Sequence, residues 1–337
     1  MRFRCINGAN TDSAGQTTGP DCRRSHDLIL GGLLESFNIN MDSASNNKMD
    51  LTTVTWDHAV NSKDKMQQAM TSNAMMIEAD VVAGHIMDGE DMVVDENQEK
   101  IAIMGHPPNV VSDLSLQEFL HDWNRTTKGL KLDFKSTDAF LLALPVMENM
   151  FKDLPQGRTP WLNADILPGP GPGGNPGVDA DIFLRASVKN FPNSMLSLGW
   201  TTKRNDFGAY SESYINSMVD VLFKNKYMKP VTYAVRASFA VNSIAELQYL
   251  LETSPVGSTL TVWCSDSKDV VDHVKLVNLV RTIGPKKVYL DLPDVMSRAY
   301  LDMEATTSAA AGSDSCVTTL NTLMLASTTM LMKTLFL

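Results

Sequence analysis

Positive charge is in short supply: 29 lysines and arginines face 39 acidic residues, for a net charge of −10 over 337 residues with histidine neutral. No block of Lys and Arg relieves that balance, which argues against a nucleic-acid partner, since phosphate backbones demand clustered cations. Cysteine is equally scarce. Cys5, Cys22, Cys264 and Cys316 show neither zinc-ligand spacing nor the density of a disulfide scaffold. Cys5 and Cys22 are able to pair, though nothing requires it, and Cys264, in an apolar run, reads as a buried thiol. The opening residues 1–27 lack any apolar period and any signal-peptide core, and read as disordered. The first apolar cluster, Asp27 to Leu34, is too short to cross a bilayer; a short docking helix and a degenerate signal remnant are its two readings.

The chain does have apolar side chains, 43% of the total. That suffices for one large core, and the length suits one barrel of about 250 residues with tails. At the far end, the small, polar stretch Thr306 to Ser315 leads into a Thr-rich, weakly apolar tail broken by Lys333. Small residues, a spacer and a hydrophobic end are the parts of a GPI-attachment signal; a loosely ordered tail is the other reading. An anchor would require secretory entry, which the N-terminus does not show. Either the start is incomplete or the tail is no signal. The expected division is 1–44 as an N-terminal segment, 45–303 as the folded unit and 304–337 as linker and tail.

Between the ends, β-rich apolar runs alternate with helical segments. The runs are 54–58, 75–81, 130–135, 160–166, 195–200, 231–236, 259–264 and 287–292. The helical segments are 62–74, 115–126, 137–152, 179–190, 211–225, 243–253 and 270–283, with Ser115, Asp179 and Ser243 suited to N-caps. Strand–helix alternation implies a parallel sheet, and eight strands are what a closed (β/α)8 TIM barrel needs. One apolar run, Lys100 to His106, follows the second strand with no helix between; 92–106 reads as a hairpin inserted there. The Pro/Gly stretch 168–177 reads as a stiff loop on the catalytic face.

Function in such barrels sits at the C-terminal strand ends. Here those ends carry His58, Glu78 with Asp80, Asp133 with Lys135, Asn163 with Asp165, Trp200, Arg236, Trp263 and Asp291, and the hairpin ends in His106. Glu78 and Asp80 are two apart in a strand and share one face. With Asp133 on the neighbouring strand they form a three-carboxylate candidate for Mg2+ or Ca2+. His58 and His106 flank it as candidate general base and acid, a packed structural role being the alternative for each. Lys135 is placed to neutralise a phosphate oxygen. Arg236 could bind phosphate bidentately, and Trp263, like Trp200, either meets a ligand or packs in the core. Asn61, Asn163 and Asp165 complete the candidate substrate contacts. His85, His121 and His273 receive no role.

The segments Thr55–Ser62, Met76–Val81, Gly105–Pro108, Gly129–Ser136, Trp161–Pro170 and Ser197–Thr202 resemble the menorin family, a likeness that covers about 50–300. That family is in turn similar to the glycerophosphodiester phosphodiesterases and the spider-venom phospholipase D (sphingomyelinase D) barrels. The resemblance implies a PLC-like phosphodiesterase barrel, metal ligation by Glu78, Asp80 and Asp133, an acid/base pair in His58 and His106, and Lys135 beside the phosphate. It implies a phosphodiester small molecule or lipid headgroup as substrate; in the venom enzymes a substrate hydroxyl attacks to give a cyclic phosphate. Two departures fall beside the histidines: Ala59-Val60-Asn61 stand where glycerophosphodiesterases have Arg-Gly after the first His, and Pro107-Pro108 stand where Asp follows the second. The resemblance also implies an extracellular or membrane-associated protein that joins cell-surface adhesion-receptor complexes in dendrite patterning. That role needs a binding surface and no turnover. The sequon Asn124-Arg125-Thr126 is compatible with such a glycoprotein.

Overall fold

The structure is a computed structural model that describes residues 49–87, 99–170, 176–202, 208–265 and 269–306. Both chain ends, Met92–Val94, the middle of the Pro/Gly loop and Cys5, Cys22 and Cys316 lie outside the described residues.

Ten strands form one sheet: β1 (Trp56–Asp57), β2 (Met76–Ile86), β3 (Ile101–Met104), β4 (Val111–Ser112), β5 (Gly129–Phe134), β6 (Trp161–Pro168), β7 (Met195–Thr201), β8 (Val231–Arg236), β9 (Thr259–Trp263) and β10 (Val288–Asp291). Eight run parallel in the order β1-β2-β5-β6-β7-β8-β9-β10, the succession expected of the barrel. The helices are α1 (Lys63–Thr71), α2 (Leu116–Asn124), α3 (Thr137–Phe151), α4 (Ala180–Asn190), α5 (Glu212–Lys224), a single turn α6 (Ala237–Ala240), α7 (Ile244–Thr253) and α8 (His273–Ile283). A further helix covers 294–306. Among the described residues no backbone ladder joins β10 to β1, which is two residues long. Side chains seal that seam: the Trp56 ring meets Trp161 and Tyr289 edge-on, at 5.7 and 6.4 Å between centroids.

The helices start where polar side chains satisfy their first free N–H groups. Ser115 forms a reciprocal capping box with Glu118, and the Asp179 carboxylate accepts from Ile182 N. Ser243 is a correction. It stands at the N-cap position just before α7, but its side chain does not cap the helix; its hydroxyl accepts from Tyr210 N and donates to Phe239 O. The segment just before α5 thus takes the group that sequence logic reserves for the helix.

Two cores follow from the period of two along each strand. Ile77, Leu132, Leu162, Leu198 and Val262 point outward and pack under the helices in the main core. Met76, Trp161, Met195 and Tyr289 point inward and, with Leu51 and Val54, form a separate apolar plug at the bottom of the barrel. Above that plug the interior turns polar: Glu78, Lys131, Asn163, Ser197, Thr232, Thr261 and Asp291 are all buried there.

The inserted hairpin exists, but its first arm is the continuation of β2 itself. Val81–Gly84 pair antiparallel with β3, and His85–Ile86 pair with β4. The Val81–Ile86 run keeps strand character past the barrel rim, so β2 supplies the edge that β3 needs. Gly84 permits the crossing, since a Cβ there would overlap the Val110 carbonyl oxygen.

Candidate functional site

The inward-facing residues at the upper strand ends come together as sequence parity predicts. One carboxylate oxygen each from Glu78, Asp80 and Asp133 lies within 4.8 Å of the others. Asp80 is opposite Asp133 in the β2–β5 register, so the parallel ladder itself sets this spacing. Each carboxylate is held from behind. Ala59 N donates to Glu78 Oε2 at 2.8 Å, and the Asn61 amide clamps Asp80, donating to Oδ2 at 2.6 Å and accepting from Asp80 N at 2.9 Å. Asn163 donates to Asp133 Oδ1 at 2.7 Å and accepts from Ser197. Lys135 Nζ bridges the front, 2.7 Å from Asp80 Oδ1 and 2.5 Å from Asp133 Oδ2. Burial works against the Lys135 charge, but Asp133 and Asp80 outweigh it and raise its pKa well above the ordinary value. The same ion pairing holds Asp80 low against burial.

His58 stands at the seam. Its Nδ1 lies 3.1 Å from Asp291 Oδ1 and 3.3 Å from Glu78 Oε2. Both carboxylates are on the Nδ1 side. Asp291 is held in turn by Lys131, whose Nζ is 3.1 Å from Oδ2. Ala59, which follows His58, has φ of 53°, a conformation an alanine adopts at some cost and one that aims its N–H at Glu78. His106 is exposed, and Gly105 N anchors its strand end to Asp80 O at 3.0 Å.

Three further electrostatic consequences follow. Burial alone would lower the His58 pKa, but the charges of Glu78 and Asp291 prevail and raise it to about 9. Burial pushes Glu78 up to about 7, with His58 opposing. Burial, and then the Asp133 charge, push Asp165 up to about 6. His58 and Glu78 both have folded-state pKa values above their unfolded ones, so each contributes stability at low pH that is lost as pH rises through the folded value. The windows run from about 4.5 to about 7 for Glu78 and from about 6.5 to about 9 for His58. The expected result is a falling urea midpoint between pH 6.5 and 9 in metal-free protein. Because the His58 side chain is 38% exposed, solvent screening keeps the fall below what the full shift implies. A midpoint that stays flat, or falls equally in His58→Asn, would remove this account.

Several expected substrate contacts take other places. Trp200 is corrected: it points outward, buried among Tyr210 and Tyr233 in the main core, because it has the opposite parity to Ser197 and Gly199 on β7. Asn163 is buried beneath Asp133, and Asn61 is engaged by Asp80, so both position carboxylates. Arg236 is not the free phosphate fork expected from sequence. Its three nitrogens donate to Thr202, Asp269 and Ser265, and its guanidinium lies 4.5 Å from the Trp263 ring. It thereby props Trp263, which is half-buried at the mouth. Asp165 is half-buried at the mouth beside Gly199, where a Cβ would overlap its Oδ1. Lys131 and the role of Asp291 escape a reading by strand ends. The one clue to Lys131 is parity, since it faces inward with Asp133 and Lys135.

The three-carboxylate cluster is compatible with a divalent metal: hard oxygen donors converge, and the neighbouring ammonium shows how strongly the cluster favours a cation.

A sequence model of the menorin N-terminal domain matches residues 50–297. The human protein FAM151B is 36% identical over 258 residues, which cover 74% of this chain and 86% of that protein. Two solved structures align with the chain at low similarity. One is a candidate glycerophosphoryl diester phosphodiesterase from Silicibacter pomeroyi, 10% identical, covering 81% of this chain and 98% of that one, with a TM-score of 0.45. The other is a candidate glycerophosphodiester phosphodiesterase from Galdieria sulphuraria, 11% identical, covering 70% and 92%, with a TM-score of 0.40. With the domain match and the FAM151B identity each spanning about three quarters of its length, this chain belongs to the menorin family.

Proposed function

We propose that the barrel mouth is a metal-dependent phosphodiesterase site acting on glycerophosphodiester or lysophospholipid-type substrates. The observation that carries this reading is the convergence of Glu78, Asp80 and Asp133 beside a His58 fixed through Nδ1. The three carboxylates would hold Mg2+ or Ca2+, which supplies Lewis-acid stabilisation of phosphate charge. Lys135 neutralises a phosphoryl oxygen once the phosphate competes for its ammonium. The two histidines divide the proton transfers: with its pKa near 9, His58 begins as the donor to the leaving oxygen, and His106 accepts from the attacking hydroxyl. Asp165 and Trp263 line the part of the mouth that meets the rest of the substrate. The test is turnover by the full chain, with Mg2+ and with Ca2+, on a panel of glycerophosphodiesters and lysophospholipids. Cleavage reduced at least ~100-fold in Asp80→Asn and His58→Asn is expected. A wild type inert across the panel with both cations would end the enzymatic reading.

A second reading is a binding module in cell-surface adhesion-receptor complexes. It is favoured by Asn124 of the sequon, which is exposed at the end of α2 and so open to glycosylation. Under it, Asp80→Asn leaves receptor binding intact.

A further inference from the structure

Opposite the mouth, the turn that joins α5 to β8 has a composition unlike the rest of this acidic chain. Residues 223–230 read Phe-Lys-Asn-Lys-Tyr-Met-Lys-Pro, three lysines and no acid, in a protein of net charge −10. Its two large hydrophobics point into solvent: Phe223 is 72% and Met228 73% exposed. They are held there by a built turn. Tyr227 is buried, its N–H donates to Leu222 O, Lys226 adopts φ of 54°, and Lys229 Nζ is tied to Pro192 O. Among the described residues, Lys224 alone of the three has an acidic partner, Asp181 at 2.7 Å. A cavity of about 650 Å³ opens beside the turn; Phe151, Phe191 and Tyr227 wall it, Lys152, Arg158 and Lys229 edge it, and Glu148 is the one acid among the described residues that line it.

We infer that this face docks on an anionic membrane surface, with Phe223 and Met228 entering the interfacial region and Lys226 and Lys229 meeting lipid phosphates and carboxylates. Charge complementarity selects this occupant. The chain as a whole is repelled by an anionic bilayer, so a local basic patch sets the orientation of approach, and bulky apolar side chains ringed by lysines are what such an interface retains. The surface lies at the N-terminal ends of the strands, so docking leaves the barrel mouth facing water. The inference is independent of whether the mouth turns over a substrate.

The test is co-sedimentation of the full chain with phosphatidylcholine vesicles, with and without phosphatidylserine, at low and at high salt. Binding that requires phosphatidylserine and weakens with salt is expected. It should fall about 10-fold or more in Phe223→Ser/Met228→Ser and in Lys226→Asn/Lys229→Gln. Both double variants alter exposed side chains, and asparagine suits the positive φ at 226, so an unchanged unfolding midpoint certifies the fold. Equal binding to neutral vesicles, wild-type binding retained by both variants, or no binding by the wild type would each overturn the inference. So would lipid-free self-association that the same variants abolish, since the face would then meet a second copy of the chain.

Discussion

Asp291→Ala should lower the unfolding free energy by about 3–5 kcal/mol, the usual cost of breaking a buried ion pair from one side. Asp291 and Lys131 are both buried, and the pair is 3.1 Å apart above the apolar plug. Removing the carboxylate leaves the buried Lys131 ammonium over the Trp56 ring without its hydrogen-bonded partner. The double variant Lys131→Met/Asp291→Asn removes both charges and should be markedly less damaged, because the cost lies in the unpaired charge more than in the lost attraction. Chemical denaturation of the four proteins of this cycle gives the coupling directly. A single-variant loss under about 1 kcal/mol, or a double variant as damaged as the sum, would show that water reaches the pair. Asp291 also gives an acid signature. Burial would raise its pKa, but His58 and Lys131 hold it far below the ordinary carboxylate value, so its contribution is present above about 3.8 and is lost as pH falls through the depressed value.

The second large effect concerns the cation. Calorimetry should show saturable Mg2+ or Ca2+ binding by the wild type and at least a ~100-fold loss in Asp80→Asn, since a ligand atom and a third of the cluster's charge disappear together. The cation should also raise thermal stability by mass action, by about 2.7 kcal/mol at a hundredfold excess over Kd. Glu78, with its pKa near 7, must give up its proton to bind, so affinity should weaken as pH drops below about 7. Binding that is indifferent to Asp80→Asn would move the cation elsewhere on the protein. No binding by either protein, with or without inorganic phosphate, would leave the carboxylates as partners of Lys135 alone.

The sequence by itself determined the barrel and the heart of the site. Eight β-rich runs separated by helical ones leave little choice of topology, because short βα and αβ connections enforce parallel neighbours. Parity did the rest: Glu78, Asp80, Asp133 and Lys135 were legible because a period of two within a strand puts them on one face whatever the surroundings. Trp200 stood among the candidate contacts for its place at a strand end; its parity, opposite to that of Ser197, puts it in the main core.

Tertiary structure alone decided which polar groups were already engaged. Arg236 and Asn163 look free in sequence because their partners, Thr202, Asp269 and Ser265 for one, Asp133 and Ser197 for the other, lie on other strands or loops. The pairing of His58 with Asp291 joins the first barrel strand to the last, 233 positions apart, and exists only because the sheet curls until its two edges meet. Local pattern can assign a side chain to a face; only closure of the barrel brings the far ends of the chain within hydrogen-bond reach, and with them the charge that orients the histidine.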